Sequence, residues 1–251
     1  MGFSMYVNDQ RNYFVTEKYR KLASKFTELF ADGSFVGDDM LIHNCNMSFL
    51  RDEQFRGVFE KLAEAPVYQQ MAWRLHILDH FLKHALRVGG NYVECGVFRG
   101  FKSCFLFENN WSLIKPRKKF LFDTFTGIDP KLAEGSPIKN SDHAKEGLLD
   151  FVVQRFKQFE NVTVVPGSVP LSLSDVDVGE VCFLHLDMNS WQAELGALEF
   201  FLPRMASGGV IVLDDFGLKT HSAQFEHEYP FFVDRGISVL ELPTGQGVAL
   251  L

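Results

Sequence analysis

The chain lacks a basic block. Its 25 Lys and Arg are outnumbered by 32 Asp and Glu, for a net charge of −7. That balance excludes nucleic acid as the main partner, because phosphate binding needs clustered positive charge. The densest basic run, Lys115-Pro116-Arg117-Lys118-Lys119, precedes a predicted strand and reads as a solvated loop. Cysteine is scarce too. The four, at 45, 95, 104 and 182, form no CxxC pair, so neither a zinc site nor a redox motif is indicated. No apolar run has the length of a membrane span. The first residues, MGFSMYVNDQ, lack the charged and then apolar run of a signal peptide, and Tyr6 stands where a myristoylation signal needs Ser or Thr. The expectation is a cytoplasmic protein with no membrane partner. Internal repeats and low-complexity tracts are also absent.

What is abundant is phenylalanine, with 26 copies in 251 residues. With 46% hydrophobic residues the chain can bury an aromatic-rich core. Residues 1–88 read as a helical N-terminal extension. Thr16 caps a helix over 17–31, Asp52 caps one running to about Glu64, and Pro66 opens a third over 66–88 that Gly89-Gly90 stops. His76, His80 and His84 repeat every four residues on the third helix and read as a solvated face.

Residues 89–251 alternate between strands and helices. Apolar runs at 91–97, 119–123, 161–165, 180–187 and 209–214 read as strands. Helical stretches near 100–113, 145–158, 169–176 and 190–204 separate them, and a helix near 220–235 precedes a hairpin of 237–242 and 247–251. This pattern predicts an α/β fold with a doubly wound, mostly parallel sheet.

In such a sheet a ligand sits beyond the carboxyl ends of the strands. The first strand runs into Glu94-Cys-Gly96-Val-Phe-Arg-Gly100. Gly96 allows close backbone approach to a ligand, and Gly100 lets the next helix start tight against the strand. A carboxylate inside this turn would repel a pyrophosphate. It suits a ligand with an ammonium group and no phosphate, as in S-adenosylmethionine. The second strand ends in Asp123, placed to accept from both ribose hydroxyls, and Ser168 follows the third strand where an adenine edge could be read. Glu94, Gly96, Gly100, Ser103, Asp123 and Ser168 form the candidate cofactor-binding set.

A second cluster is acidic. Asp187 closes the fourth strand, and Asp214 and Asp215 close the fifth. Three converging carboxylates raise one another's pKa, which a hard divalent ion such as Mg²⁺ relieves. Asp187 therefore counts both as a metal ligand and as a catalytic residue. A reaction at a hydroxyl held beside this cluster would also need a base. His143, in the lid-like stretch 126–147, and His221, at the start of a helix, are the candidates; His185, inside a strand, reads as core.

"YVECGVFRG", "LFDTFTGI", "HLDMNSW", "LPRMASGGVIVLDDFG" and "LPTGQG" occur in this order. Together, over roughly 88–251, they resemble the macrocin O-methyltransferase (TylF/MycF-like) family. That resemblance implies a seven-stranded class I methyltransferase fold and a divalent metal, usually magnesium, that binds hydroxyls of a sugar-bearing small-molecule acceptor. It points to D-x-D after the fourth strand, where this chain has Asn189 in place of the second acid. The rival expectations are a phenol or catechol acceptor, and a binding or assembly protein that keeps the fold without chemistry. The N-terminal helices could cover the acceptor, build a homo-oligomer interface or simply pack in the monomer.

Overall fold

Seven strands form one sheet in the spatial order β5-β4-β3-β6-β7-β9-β8. They are β3 (Asn91–Cys95), β4 (Lys119–Asp123), β5 (Val162–Pro166), β6 (Val181–Leu186), β7 (Met205–Leu213), β8 (Val239–Glu241) and β9 (Gly247–Leu250). The first five run parallel, while β9 lies antiparallel to both β7 and β8. The predicted doubly wound, mostly parallel sheet is therefore present, closed by the predicted hairpin. This computed structural model describes residues 17–30, 34–38, 40–137 and 145–251. The chain divides into two compact units, 1–77 and 78–251.

In the first unit, α1 (Glu17–Leu29) precedes a short antiparallel pair, β1 (Phe35–Gly37) and β2 (Met40–Ile42). Then come α2 (Glu53–Leu62), α3 (Pro66–Gln69) and α4 (Ala72–Ala85), the last crossing into the second unit. Asp52 caps α2 as expected, its Oδ1 accepting from the Phe55 amide at 2.7 Å. Thr16 lies outside the described residues. The helix expected over 66–88 is broken at Gln70-Met71. Its apolar stripe survives the break because Tyr68, Met71, Ala72 and Leu75 are all buried. Of the histidine row, His80 and His84 are exposed. His76 instead stacks on Phe49 at 4.1 Å.

In the second unit, β3 and β6 are buried almost throughout, as strands covered on both faces must be. α5 (Phe101–Asn109), α6 (Trp111–Ile114), α7 (Leu148–Phe156), α8 (Trp191–Phe201) and α9 (Ser222–Val233) surround the sheet. Val93, Phe122, Leu184, Leu186 and Ile211 share a core with Ala197, Leu198 and Phe201 of α8. Alternation sends Tyr92 and Glu94 to the opposite face. There the Tyr92 ring stacks on Phe183 at 5.4 Å and meets Phe107 of α5 edge-on at 5.1 Å. The helix expected near 169–176 is only a 3₁₀ segment, Leu171–Asp175.

Candidate active site

The sheet's switch point lies between β3 and β6, the central strands from which the order diverges in both directions. Just past β3, Gly96 adopts φ +93°, and a Cβ built on it would lie 2.0 Å from the Asp187 carbonyl oxygen. Glycine is thus required by the backbone at the end of β6. Gly100 is similar: at φ +71° its Cβ would lie 2.4 Å from the Phe156 ring. That contact lets α5 start against α7.

Asp123 braces the turn. Its Oδ2 accepts from the amides of Val97 and Phe98, both at 2.7 Å, and Oδ1 accepts from Phe125 at 2.6 Å. Burial pushes its carboxyl up while these three amides pull it down. Beside it a cavity of about 290 Å³ is lined by Thr124, Thr126, Gly127, Ile128, Asp129, Pro130, Gly167 and Ser168. Ser168 donates to Asp129 at 2.7 Å on its wall. Asp123 and Ser168 therefore lie at the strand-end groove, as the sequence placed them.

Glu94 and Ser103 do not. Glu94 is 1% exposed and Ser103 fully buried. The Ser103 hydroxyl donates to Glu94 Oε2 and accepts from the Tyr92 hydroxyl at 2.8 Å. Glu94 Oε1 faces His185 Nδ1 at 2.9 Å, and His185 Nε2 lies 3.4 Å from Asp214 Oδ1. Glu94, expected to face a ligand, is buried beside His185, with which it sits in register on the adjoining strand. His185 is core, as the sequence suggested, but core of a buried polar seam. Burial alone would lower its pKa; the hydrogen bonds to Asp214 and Glu94, and their charges, outweigh burial and raise it to about 9.

That shift has a measurable consequence. A histidine titrating near 6.5 when unfolded and about 9 when folded stabilises fully below pH 6.5 and loses its contribution as pH rises through 9. The unfolding free energy is expected to fall by about 3 kcal/mol across that window. Asp187, raised to about 8 mainly by burial, against the pull of Lys102 and with the push of Asp214 and Asp215, contributes a separate fall that runs from its unfolded value of 3.8 to about 8. Denaturant melts of the parent and His185→Gln at several pH values isolate the histidine: the variant's profile should be flatter. Parallel profiles would remove the charge from His185.

Asp187, Asp214 and Asp215 do converge. Each offers an oxygen, and the three lie within 4.8 Å of one another. The donors are hard enough for Mg²⁺, yet the cluster already has a cation. Lys102, second residue of α5, places Nζ 2.6 Å from Asp187 Oδ2 and against Asp214 Oδ2. Asp214 Oδ1 also accepts from Gln246 Nε2 at 3.2 Å. The donor set does not fit a divalent ion while this ammonium is in it.

His221 closes the site's far side. Its Nε2 lies 2.9 Å from Asn189 Oδ1 and 3.6 Å from Asp215 Oδ2, and Nδ1 meets the Thr220 hydroxyl at 2.9 Å. Asn189 sits at φ +55° in the turn between β6 and α8, a conformation that asparagine tolerates. The Ser190 hydroxyl next to it caps α8 by accepting from the Ala193 amide. Glu194 accepts from the Met188 amide at 3.0 Å and from Gln224 at 3.1 Å, holding the same turn. His143 lies outside the described residues, as does the middle of the stretch 126–147. The first part of that stretch is anchored, with Leu132 O accepting from Ser190 at 2.5 Å.

Lys102, Gln246 and the Glu94–His185–Asp214 seam escaped sequence reasoning. Lys102 alone left a trace, as the one charge in the apolar run "GFKSCFLF".

A parallel sheet extended by a reversed β9 defines the class I methyltransferase fold, and solved structures with that fold superpose on this chain. The O-methyltransferase NovP gives a TM-score of 0.59 at 18% identity, covering 72% of this chain and 81% of its own. The calicheamicin methyltransferase CalS11 gives 0.58 at 15% identity, covering 83% and 94%. A family model described as Macrocin-O-methyltransferase (TylF) matches residues 71–237, and the chain belongs to that family. A tetracenomycin rhamnosyl 4'-O-methyltransferase of Streptomyces olivaceus is 24% identical over 162 residues, 58% of this chain and 60% of the relative. The mycinamicin III 3''-O-methyltransferase of Micromonospora griseorubida is 25% identical over 173 residues, 62% of this chain and 67% of the relative. The chain thus spans about three-fifths of the first relative's length. Among the described residues no helix is long and apolar enough to cross a membrane.

Proposed function

We propose that this chain is an S-adenosylmethionine-dependent O-methyltransferase acting on a hydroxyl of a sugar-bearing small molecule. One observation carries this: the Asp123-braced glycine turn and the Asp187–Asp214–Asp215–His221 group meet at the switch point of the sheet. The first supplies a donor groove, and the second lies beside it with carboxylates and an imidazole. Fold alone does not assign chemistry, so the argument rests on these groups. The names of the two relatives supply the acceptor class.

In this reading the adenosyl part of the donor occupies the groove of Thr124–Pro130 and Gly167–Ser168, beside Asp123. The acceptor lies towards Asp187, Asn189 and His221. The acceptor oxygen attacks the sulfonium methyl in line. The new C–O bond forms as the C–S bond breaks, and its electron pair neutralises the sulfur, so that S-adenosylhomocysteine leaves. His221 takes the hydroxyl proton at Nε2, in the tautomer whose Nδ1–H donates to Thr220, after the acceptor displaces the Asn189 amide oxygen. Alignment of oxygen, methyl and sulfur is the main task, because the methyl donor is already activated. Lys102 is the cation paired with Asp187 and Asp214.

Calorimetric titration with S-adenosylmethionine should give one site per chain. Methyl-labelled donor should then pass label to rhamnosyl-bearing acceptors, with equal S-adenosylhomocysteine. A protein that binds no donor sinks the proposal. Donor binding with transfer only to phenols would move the acceptor class.

A further inference from the structure

The cluster expected to hold a divalent ion is built around a lysine. Lys102 stands at the start of α5, directly after the glycine turn. Its side chain crosses to the ends of two other strands, meeting Asp187 after β6 and Asp214 after β7. It is only 11% exposed. A lysine is rarely buried to that degree unless its charge is paired, and here each partner is a carboxylate at charge-assisted hydrogen-bond range.

The remaining oxygen of Asp214 is engaged from the other side by His185 and Gln246. Asp214 thus sits between an ammonium, an imidazole and an amide, all from the protein. A Mg²⁺ ion needs near-octahedral oxygen donors at about 2.0–2.1 Å and gives up its water reluctantly. Bound to Asp187 Oδ2, which lies 2.6 Å from Nζ, it would meet the ammonium across the same oxygen. Both cations on that oxygen would stand about 4 Å apart, where two positive charges repel, so the ammonium disfavours the ion.

We propose that Lys102 is the resident cation of the Asp187–Asp214–Asp215 cluster and the positioning residue that holds Asp187 at the acceptor side, so that methyl transfer by this chain runs without a divalent ion. The part about transfer rests on the methyltransferase reading above; the part about the cluster does not. One residue on the helix after the glycine turn thereby decides whether the acids form a metal site or an ion-paired wall. The group of ligand disfavoured is the hard divalent cation, and the acceptor hydroxyl meets a cluster in which two of the three acids are already ion-paired.

The test uses the intact chain stripped of metal by chelator, with Mn²⁺ as the probe followed by electron paramagnetic resonance. The parent should show no stoichiometric Mn²⁺ site, whereas Lys102→Ala should gain one, because three carboxylates lose their cation. Lys102→Met keeps the aliphatic stem and should gain it as well. In the labelled-methyl assay the parent should keep its rate in excess chelator. Lys102→Met should lose roughly ten-fold or more in kcat with donor affinity unchanged, and Lys102→Arg should recover part of it. Tight Mn²⁺ binding by the parent, or variants that bind Mn²⁺ no better than the parent, overturns the assignment. So does transfer that stops in chelator and returns with Mg²⁺. Absence of donor binding would count against the methyltransferase reading alone, since the Mn²⁺ comparison still reports on Lys102.

Discussion

Gly96→Val is expected to leave little or no folded protein. A Cβ at this position would lie 2.0 Å from the Asp187 carbonyl oxygen and 2.4 Å from its carbon. No Cβ contact is that short, so the end of β6 must move. The move breaks the hydrogen bond from the Asp187 amide to the Cys95 carbonyl at 2.8 Å. A φ of +93° adds strain that a β-branched residue tolerates least. Together these place the cost at the severe end for single substitutions, above about 4 kcal/mol. Against a typical stability of roughly 5–15 kcal/mol, soluble yield should collapse. Even Gly96→Ala should lower the melting midpoint sharply, since the first added carbon makes the clash. A Gly96→Ala protein that melts with the parent in circular dichroism would show that β3 and β6 do not approach this closely.

His221→Ala is expected to lower kcat by roughly 10²–10⁴-fold, the usual worth of a positioned base, while the affinity for S-adenosylmethionine stays put. The split follows from geometry. His221 touches Asn189, Thr220 and Asp215, on the acceptor side, and none of the residues lining the donor groove. His221→Gln keeps a polar side chain near Asn189 without an imidazole, and should be as slow as alanine. Rapid-quench measurement of a single turnover separates proton removal from product release. If His221→Ala turns over at the parent rate and His143→Ala does not, the base belongs to the segment around residue 143.

The alternation of apolar runs with helical stretches was enough to place five parallel strands and the closing hairpin, because each strand's burial is written in its own residues. Phe120 to Phe122 and Val181 to Leu186 are apolar almost without interruption, which only a strand covered on both faces allows. The acids at strand ends were legible for the same reason, since a charge can follow a buried strand only where the strand leaves the core. Hence Asp187, Asp214 and Asp215 were expected together and are together.

Which way an acid points was not legible. Glu94 and Asp123 look alike in sequence, each an acid at a strand's end. Strand order decides between them: β3 lies between β4 and β6, so Glu94 meets His185 in register and turns inward. Glu94 lies level with Leu121 of β4, so Asp123 is two residues further along and takes the amides of the neighbouring turn. The acid cluster's cation was equally hidden, because Lys102 stands 85 positions from Asp187 and 112 from Asp214, and no local pattern joins them. The sequence by itself determined that this is a doubly wound sheet of this family, with a glycine turn and three acids at its carboxyl edge, since periodicity and strand-end charge are local properties. Only the tertiary structure decided that Glu94 pairs with a buried histidine and that a lysine stands in the acidic cluster, since pairing between charges depends on which strands and helices become neighbours.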